Sequence, residues 1–182
     1  LPRMFFINQM DDENADFEKT LAELRKEFGK AVAPVQIPFN DEDGKFVGYI
    51  NVIKRDARKK VDGKLQKCAM PEDKVDQVEK LRAMVIEVAA ESSEELREKF
   101  FNAEELTEEE IYDGLLAGIE DMTVAPVLCG SATLGYGVKL MMNTIVRFTP
   151  PSIEAKANFH AFHDGKDVVY CSSDDERFSA YV

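Results

Sequence analysis

Two short, nearly continuous apolar runs constrain the fold of this chain more than any other feature. Residues 3–8, Arg-Met-Phe-Phe-Ile-Asn, and residues 124–129, Val-Ala-Pro-Val-Leu-Cys, lack the strict alternation of a half-exposed strand. Runs of this kind form central strands of parallel sheets, buried on both faces. Each leads into a helix-period segment. After the first, Phe17, Leu21, Leu24 and Phe28 recur at helical spacing, with acids at the start and Gly29 placed as a C-terminal cap. After the second, Val138, Met141, Met142 and Ile145 mark one helix face. Two strand–loop–helix units imply an open α/β sheet, which binds ligands at the carboxyl ends of its strands.

The stretch between the runs has a different character. Residues 35–39, 46–58 and 64–69 read as three strands joined by Asp43-Gly44 and Asp62-Gly63, both good hairpin turns. A helix then starts at Pro71 with Val75, Val78, Leu81, Val85 and Val88 on one face. Two more helices are announced by Ser92-x-x-Glu95 and Thr107-x-x-Glu110, each with a capping-box pattern. Residues 36–104 therefore read as an α+β unit set into an α/β sheet formed by residues 1–35 and 105–148. The prolines of Thr149-Pro150-Pro151-Ser152 close that sheet's last helix. Residues 149–182 read as a linker and the start of a further domain, with strand-like pieces at 157–162, 168–171 and 178–182.

A net charge of −12 argues against a chain whose whole surface binds nucleic acid, and DNA is not an expected partner. Three cysteines, Cys68, Cys129 and Cys171, are an odd number without Cys-x-x-Cys spacing, as expected of a reducing compartment such as the cytoplasm. No apolar stretch approaches the roughly 20 residues that span a bilayer, so no membrane partner is expected. The chain opens at Leu1 within a strand-like run, which reads as a piece of a longer protein.

The chemistry lies at the ends of the two apolar runs. Asn8-Gln9-Met10-Asp11 follows the first and Cys129-Gly130-Ser131-Ala132 the second, about 120 positions apart. Asn-x-x-Asp with a Ser-Ala loop is the pair with which GTPases read guanine. The Asp11 carboxylate would accept from the two N–H groups on one edge of the base, which adenine does not offer. Asn8 would tie the loop down, and the backbone N–H of Ala132 would donate to the guanine carbonyl oxygen. Gln9, Met10 and Ser131 complete the nucleotide-binding set. No catalytic or metal-ligating residue is assigned. His160, His163 and Cys171 do not make a metal site, because they lack a fourth ligand. Asn-x-x-Asp alone is weak evidence, since Asn40-Asp41-Glu42-Asp43 satisfies it too, inside a predicted hairpin turn. The plain alternative for Asn8 and Asp11 is an Asx-type cap between strand and helix.

The motifs in this order resemble elongation factor G and its relatives among the ribosomal translational GTPases. The resemblance rests on Asn8-Gln9-Met10-Asp11 with Asn14-Ala15-Asp16-Phe17, on Glu94-Glu95-Leu96 with residues 104–111, on Cys129-Gly130-Ser131-Ala132 with Gly137-Val138, and on residues 173–182 with Phe178-Ser179-Ala180. It implies a partial P-loop-GTPase-type parallel sheet with helices, interrupted by an inserted subdomain and followed by the first strand of a β-barrel. It also implies a monomer that binds GTP or GDP, with Mg2+ held in the full-length parent by residues outside this chain. The parent would hydrolyse GTP during translocation on the ribosome. No Gly-x-x-x-x-Gly-Lys-Ser/Thr occurs here, so these residues alone are expected neither to hydrolyse GTP nor to bind it tightly. Gln9 stands where the family usually has lysine, and Asp12 where a basic residue is common.

Residues 91–110 hold nine acids against two basic residues. Such a run is usually a solvated helical face, but the resemblance implies contact with the ribosomal stalk protein. Residues 54–67 hold seven basic residues against two acids, either an exposed hairpin or a contact with ribosomal RNA. Two alternatives stand beside the translocase reading: a protein-binding module without nucleotide chemistry, and a family relative that protects ribosomes from tetracycline.

Overall fold

The computed structural model describes residues 2–61 and 63–149 throughout, and the backbone alone of 158–163 and 166–171. In chain order, β1 (Phe5–Ile7) leads through α1 (Phe17–Phe28) and a 3-10 turn, Gly29–Ala31, to β2 (Val32–Pro34). Four strands follow: β3 (Gln36–Asn40), β4 (Phe46–Asn51), β5 (Asp56–Val61) and β6 (Lys64–Cys68). Then come α2 (Glu72–Glu91), α3 (Glu94–Phe101), α4 (Glu108–Glu120), β7 (Ala125–Cys129) and α5 (Val138–Phe148). A two-stranded antiparallel pair, β8 (Asn158–His163) with β9 (Lys166–Cys171), ends the described backbone.

The architecture is mixed α/β. One sheet is parallel, in the order β1-β7-β2, and the second is antiparallel, in the order β3-β4-β5-β6. β7 lies in the middle of the first sheet with all five residues buried, as its unbroken apolar run requires. The two sheets share one hydrophobic core. Leu128 of β7, Ile37 of β3, Val85 of α2 and Leu115 of α4 all belong to it and are almost wholly buried.

Several elements differ from the sequence expectations. Val32–Pro34 is a separate strand parallel to β7, and Val35, whose N–H donates to Val127 O at 3.1 Å, is the joint where the chain passes into the antiparallel sheet. The expected strand over 46–58 is two strands. Asn51 Oδ1 accepts from Lys54 N at 2.9 Å, which closes an Asx-type turn, and Arg55 takes a left-handed φ of 52°. Val52 and Ile53 stay buried through that turn, so the break left no trace in hydropathy.

The helix ends show why individual caps matter. Ser92 closes α2, its hydroxyl donating to Ala89 O at 2.6 Å, while Ser93 caps α3 by accepting from Leu96 N at 3.2 Å. The expected box at Ser92-x-x-Glu95 is therefore shifted by one residue, and Glu95 pairs with Lys99 instead. At α4 the full box is present: Thr107 Oγ1 accepts from Glu110 N, and Glu110 Oε2 accepts from Thr107 N at 2.8 Å. On α2, Val75 is exposed rather than inward. On α5, Thr144 and Phe148 face inward, with Leu140 half-buried one turn earlier, whereas Met142, Ile145 and Val146 are exposed. The face expected from Val138, Met141, Met142 and Ile145 is rotated because α5 packs toward Tyr112 of α4 through Phe148. The expected strand at 178–182 and the Ser173–Val182 resemblance lie outside the described residues, as do the side chains of His160, His163 and Cys171.

Glu110 is held at about pKa 2, below the usual 4.5, by hydrogen bonds from the Lys99 ammonium and from the backbone and hydroxyl of Thr107. A depressed carboxyl adds stability that is complete above its unfolded pKa and lost as pH falls toward the folded one. Unfolding stability should therefore decline between about pH 4.5 and 2, and Glu110→Gln should flatten that part of the profile in urea titrations. At neutral pH, Thr107→Ala should cost about 1 kcal/mol by the same measurement.

Candidate functional site

The ends of β1 and β7 form the site. Their parallel register pairs Ile7 with Cys129, so Asn8 and Gly130 leave the sheet side by side although they are far apart in sequence. Backbone bonds continue the pairing past the strands: Gly130 N donates to Ile7 O at 3.0 Å, and Met10 N to Gly130 O at 3.1 Å. One side-chain bond then locks the two loops together. Asn8 Oδ1 accepts from Ala132 N at 2.9 Å.

The loop after β7 is closed on itself. Ser131 and Tyr136 exchange backbone bonds at 3.1 and 2.9 Å, and Ser131 Oγ accepts from Leu134 N at 3.1 Å. A Cβ on Gly130 would lie 2.2 Å from Tyr136 O, so only glycine permits this closure. Gly137 then turns the chain into α5 at φ 76°, a left-handed conformation that also favours glycine.

The loop after β1 is a run of tight turns. Gln9 has φ 59°, unusual for a side chain of its size and strained on the order of 1 kcal/mol. Asp12 N donates to Gln9 O, and Asp12 Oδ1 accepts from Asn14 N at 2.8 Å. The N-cap of α1 is Asp16, which accepts from Lys19 N at 2.9 Å. Neither Asn8 nor Asp11 caps that helix; Asn8 ties the two loops together through Ala132 instead. Asp41, in the other Asn-x-x-Asp stretch, accepts from Asp43 N and Lys45 N and builds the β3–β4 turn.

The six residues singled out from sequence divide by exposure. Asn8, Gln9, Asp11 and Ala132 are open to solvent, and Met10 and Ser131 are buried. Met10 belongs to the core and Ser131 to the loop's internal bonding, so these two anchor the site while the other four present it. The Ala132 N–H expected for a base oxygen is engaged by Asn8, so a ligand there must share it or turn the amide. Cys129, fully buried, has its thiol pushed well above the usual value by burial, which leaves it an inert core residue. Asp11, Asp12 and Met10 also border an open cavity of about 1040 Å³ between α1 and the β3–β4 turn.

Two contributors were not legible in the sequence. Lys60 of β5 donates from Nζ to Leu134 O at 2.8 Å and stands 5.4 Å from the centre of the Tyr136 ring. Phe46 of β4 meets the same ring edge-on at 5.1 Å. The antiparallel sheet thus props the loop that carries Ala132. Only Tyr136, an aromatic residue in a loop of small ones, hinted at such a contact.

No protein-family model matches this chain. Among solved structures it is similar to the crystal structure of ttk003000868 from Thermus thermophilus, at 27% identity and a TM-score of 0.77. The likeness covers 85% of this chain and 23% of that one, so the chain spans about a quarter of that protein's length.

Gly130→Ala should force Tyr136 away from Ser131 and lower unfolding stability by about 2 kcal/mol or more, because the nearest clashing atom is a backbone oxygen that cannot swing aside. Urea denaturation checks this, and an unchanged midpoint would show that the loop closes some other way.

Proposed function

We propose that this chain is the guanine-reading part of a GTPase of the elongation factor G type, with a P-loop-GTPase-type sheet and an inserted subdomain. One observation carries the proposal: parallel pairing of β1 with β7 brings the loops that follow them together, with Asn8 bonded to Ala132 and Asp11 three residues on from Asn8. The residues fit a guanine. Asp11 is an exposed carboxylate with no ion pair among the described residues, suited to accept from the two N–H groups of the base. Asn8, its Oδ1 held by Ala132, keeps its amide N–H groups for a ring nitrogen. The Ala132 N–H, shared with Asn8 or turned from it, would donate to the base carbonyl.

Phosphate handling and hydrolysis belong to residues outside this chain, and the parent acts on the ribosome with GTP as substrate. The acid-rich α3 and α4 support a partner contact such as the stalk protein, since Phe101 beside them is 78% exposed. The basic residues of 54–67 are mostly engaged internally, with Arg55 on Glu79, Arg58 and Lys67 on Asp56, and Lys60 on Leu134. That arrangement weakens the case for a ribosomal RNA contact through this hairpin.

In the full-length protein, Asp11→Asn should weaken GDP by about 10²–10⁴-fold, the loss of two charge-assisted hydrogen bonds at roughly 1.5–3 kcal/mol each. It should at the same time raise affinity for the xanthine nucleotide, whose ring accepts where the new carboxamide donates. Nucleotide preference unchanged in calorimetry would take Asp11 out of the site and the guanine reading with it.

A further inference from the structure

The antiparallel sheet has two unlike faces. Ile50 and Ala57 point into the common core, while their neighbours Tyr49, Asn51, Asp56 and Arg58 line a cavity of about 390 Å³ roofed by α4 and α5. That volume falls within the range of small-molecule pockets. Four cations border it: Lys54, Arg58, Lys139 and Arg147. Asp56 is the single acid on its lining, in a chain whose net charge is −12.

Most of this charge is placed with care. Asp56, 8% exposed, is held by Arg58 through two bonds to Oδ2 at 3.0 and 2.9 Å, and by Lys67 at 3.4 Å. Its negative charge is therefore compensated before any ligand arrives. The Arg147 guanidinium carbon stands over the Tyr112 ring, 3.7 Å from its centre, and Arg147 bonds Glu109 at 3.0 Å. Lys54 and Lys139 have no acid partner among the described residues, although Lys54 stands 5.8 Å from the Tyr112 ring. Two ammonium groups without an acid partner among the described residues thus border one cavity, one on the β4–β5 turn and one on the first turn of α5.

We infer that this cavity binds a compact, multiply charged phosphate compound, with Lys54 and Lys139 as its principal anchors. Low-dielectric walls concentrate the field of like charges in a cleft and raise the local concentration of a counter-ion. Ammonium groups suit phosphoryl oxygens as point charges, and the side-chain amides of Asn51 and Asn143 add neutral donors for the remaining oxygens. The aromatic surface is already taken by Arg147, so the site selects for charge rather than for a stacked base. An RNA strand is the poorer fit. Its recognition without base readout needs exposed stacking platforms, and Tyr49 and Tyr112 are 5% and 8% exposed. This inference does not rest on the guanine reading.

The test is titration of the full-length protein with inorganic pyrophosphate by calorimetry, under saturating GDP so that a nucleotide phosphate site elsewhere is filled. One site per chain is expected. Lys54→Ala with Lys139→Ala should weaken it by at least about tenfold, the value of one charge-assisted hydrogen bond. Lys139→Arg, which keeps the charge, should retain most of the affinity that Lys139→Ala loses. Both lysines are exposed, so an unchanged melting temperature verifies folding, and GDP affinity measured in parallel should not move. Pyrophosphate binding that survives the double substitution, or no binding by the unsubstituted protein, overturns the inference. So does a single-stranded RNA oligonucleotide that binds through the same lysines where pyrophosphate does not. Failure of GDP to bind at all would instead remove the guanine reading and leave the pyrophosphate result to stand.

Discussion

The rest of the structure depends on the pairing of β1 with β7. These are short strands, and nothing local holds them together: the register Phe5–Val127, Phe6–Leu128, Ile7–Cys129 joins segments more than a hundred residues apart. Closing so long a loop costs entropy that grows only slowly with its length. The pairing is sustained by burial, since Val127, Leu128 and Cys129 are fully inaccessible. It is extended beyond the strands by the Gly130–Ile7 and Met10–Gly130 bonds, and the absence of a side chain on Gly130 lets Tyr136 O approach it so that the loop closes through Ser131. A single missing Cβ thereby permits the closure of the loop that carries Ala132.

The antiparallel sheet is a working part of that arrangement. Val35 bonds Val127 and in turn accepts from Val52, so the central strand of one sheet is stitched to a turn of the other through one residue. Phe46 and Lys60 reach across to Tyr136 and Leu134. A core shared by both sheets transmits displacement because close-packed interiors do not deform freely. Movement of the sheet by a partner would therefore be felt at Ala132, through Tyr136 and its bonds to Ser131.

What the sequence revealed follows from how locally each feature is encoded. The strands at 5–7 and 125–129 were readable because burial on both faces demands uninterrupted apolar residues. The Thr107–Glu110 box was readable because its partners lie three residues apart. Val32–Pro34 was not, being three residues long and framed by a glycine turn and a proline. The break at Asn51 was hidden because the turn that follows buries Val52 and Ile53 as a strand would. The orientation of α5 failed for a different reason: its Met142, Ile145 and Val146 are as apolar as the residues that face inward, so periodicity alone could not choose the buried side. The candidate base-reading residues were named from their order along the chain. That Asn8 occupies the Ala132 N–H, and that Lys60 supports the loop, depends on contacts between segments that only the folded chain brings together.

Charge divides the molecule in a way that bears on both proposals. Residues 8–16 contain Asp11, Asp12, Glu13 and Asp16 and no basic residue, and residues 129–137 carry no charge at all. An exposed acidic edge of this kind attracts polarised N–H groups and repels phosphate, each unit charge contributing about 0.4 kcal/mol at 10 Å in water. With glutamine at position 9, where the resembled family usually has lysine, residues 8–16 themselves supply no cation to offset that field. On the proposed reading, a nucleotide seated here would be held by its base, with its phosphates held elsewhere. The cavity under α5 has the opposite polarity, two ammonium groups with no acid partner among the described residues and an acid already neutralised by Arg58 and Lys67. Gly137 joins the two regions within a few residues, since the loop that carries Ala132 ends where the helix that carries Lys139 begins. An anion drawing Lys139 toward Lys54 would pull on the first turn of α5 and so on Gly137, which packs against Cys129 and Gly130, and this gives the cavity a physical route to the loop that carries Ala132.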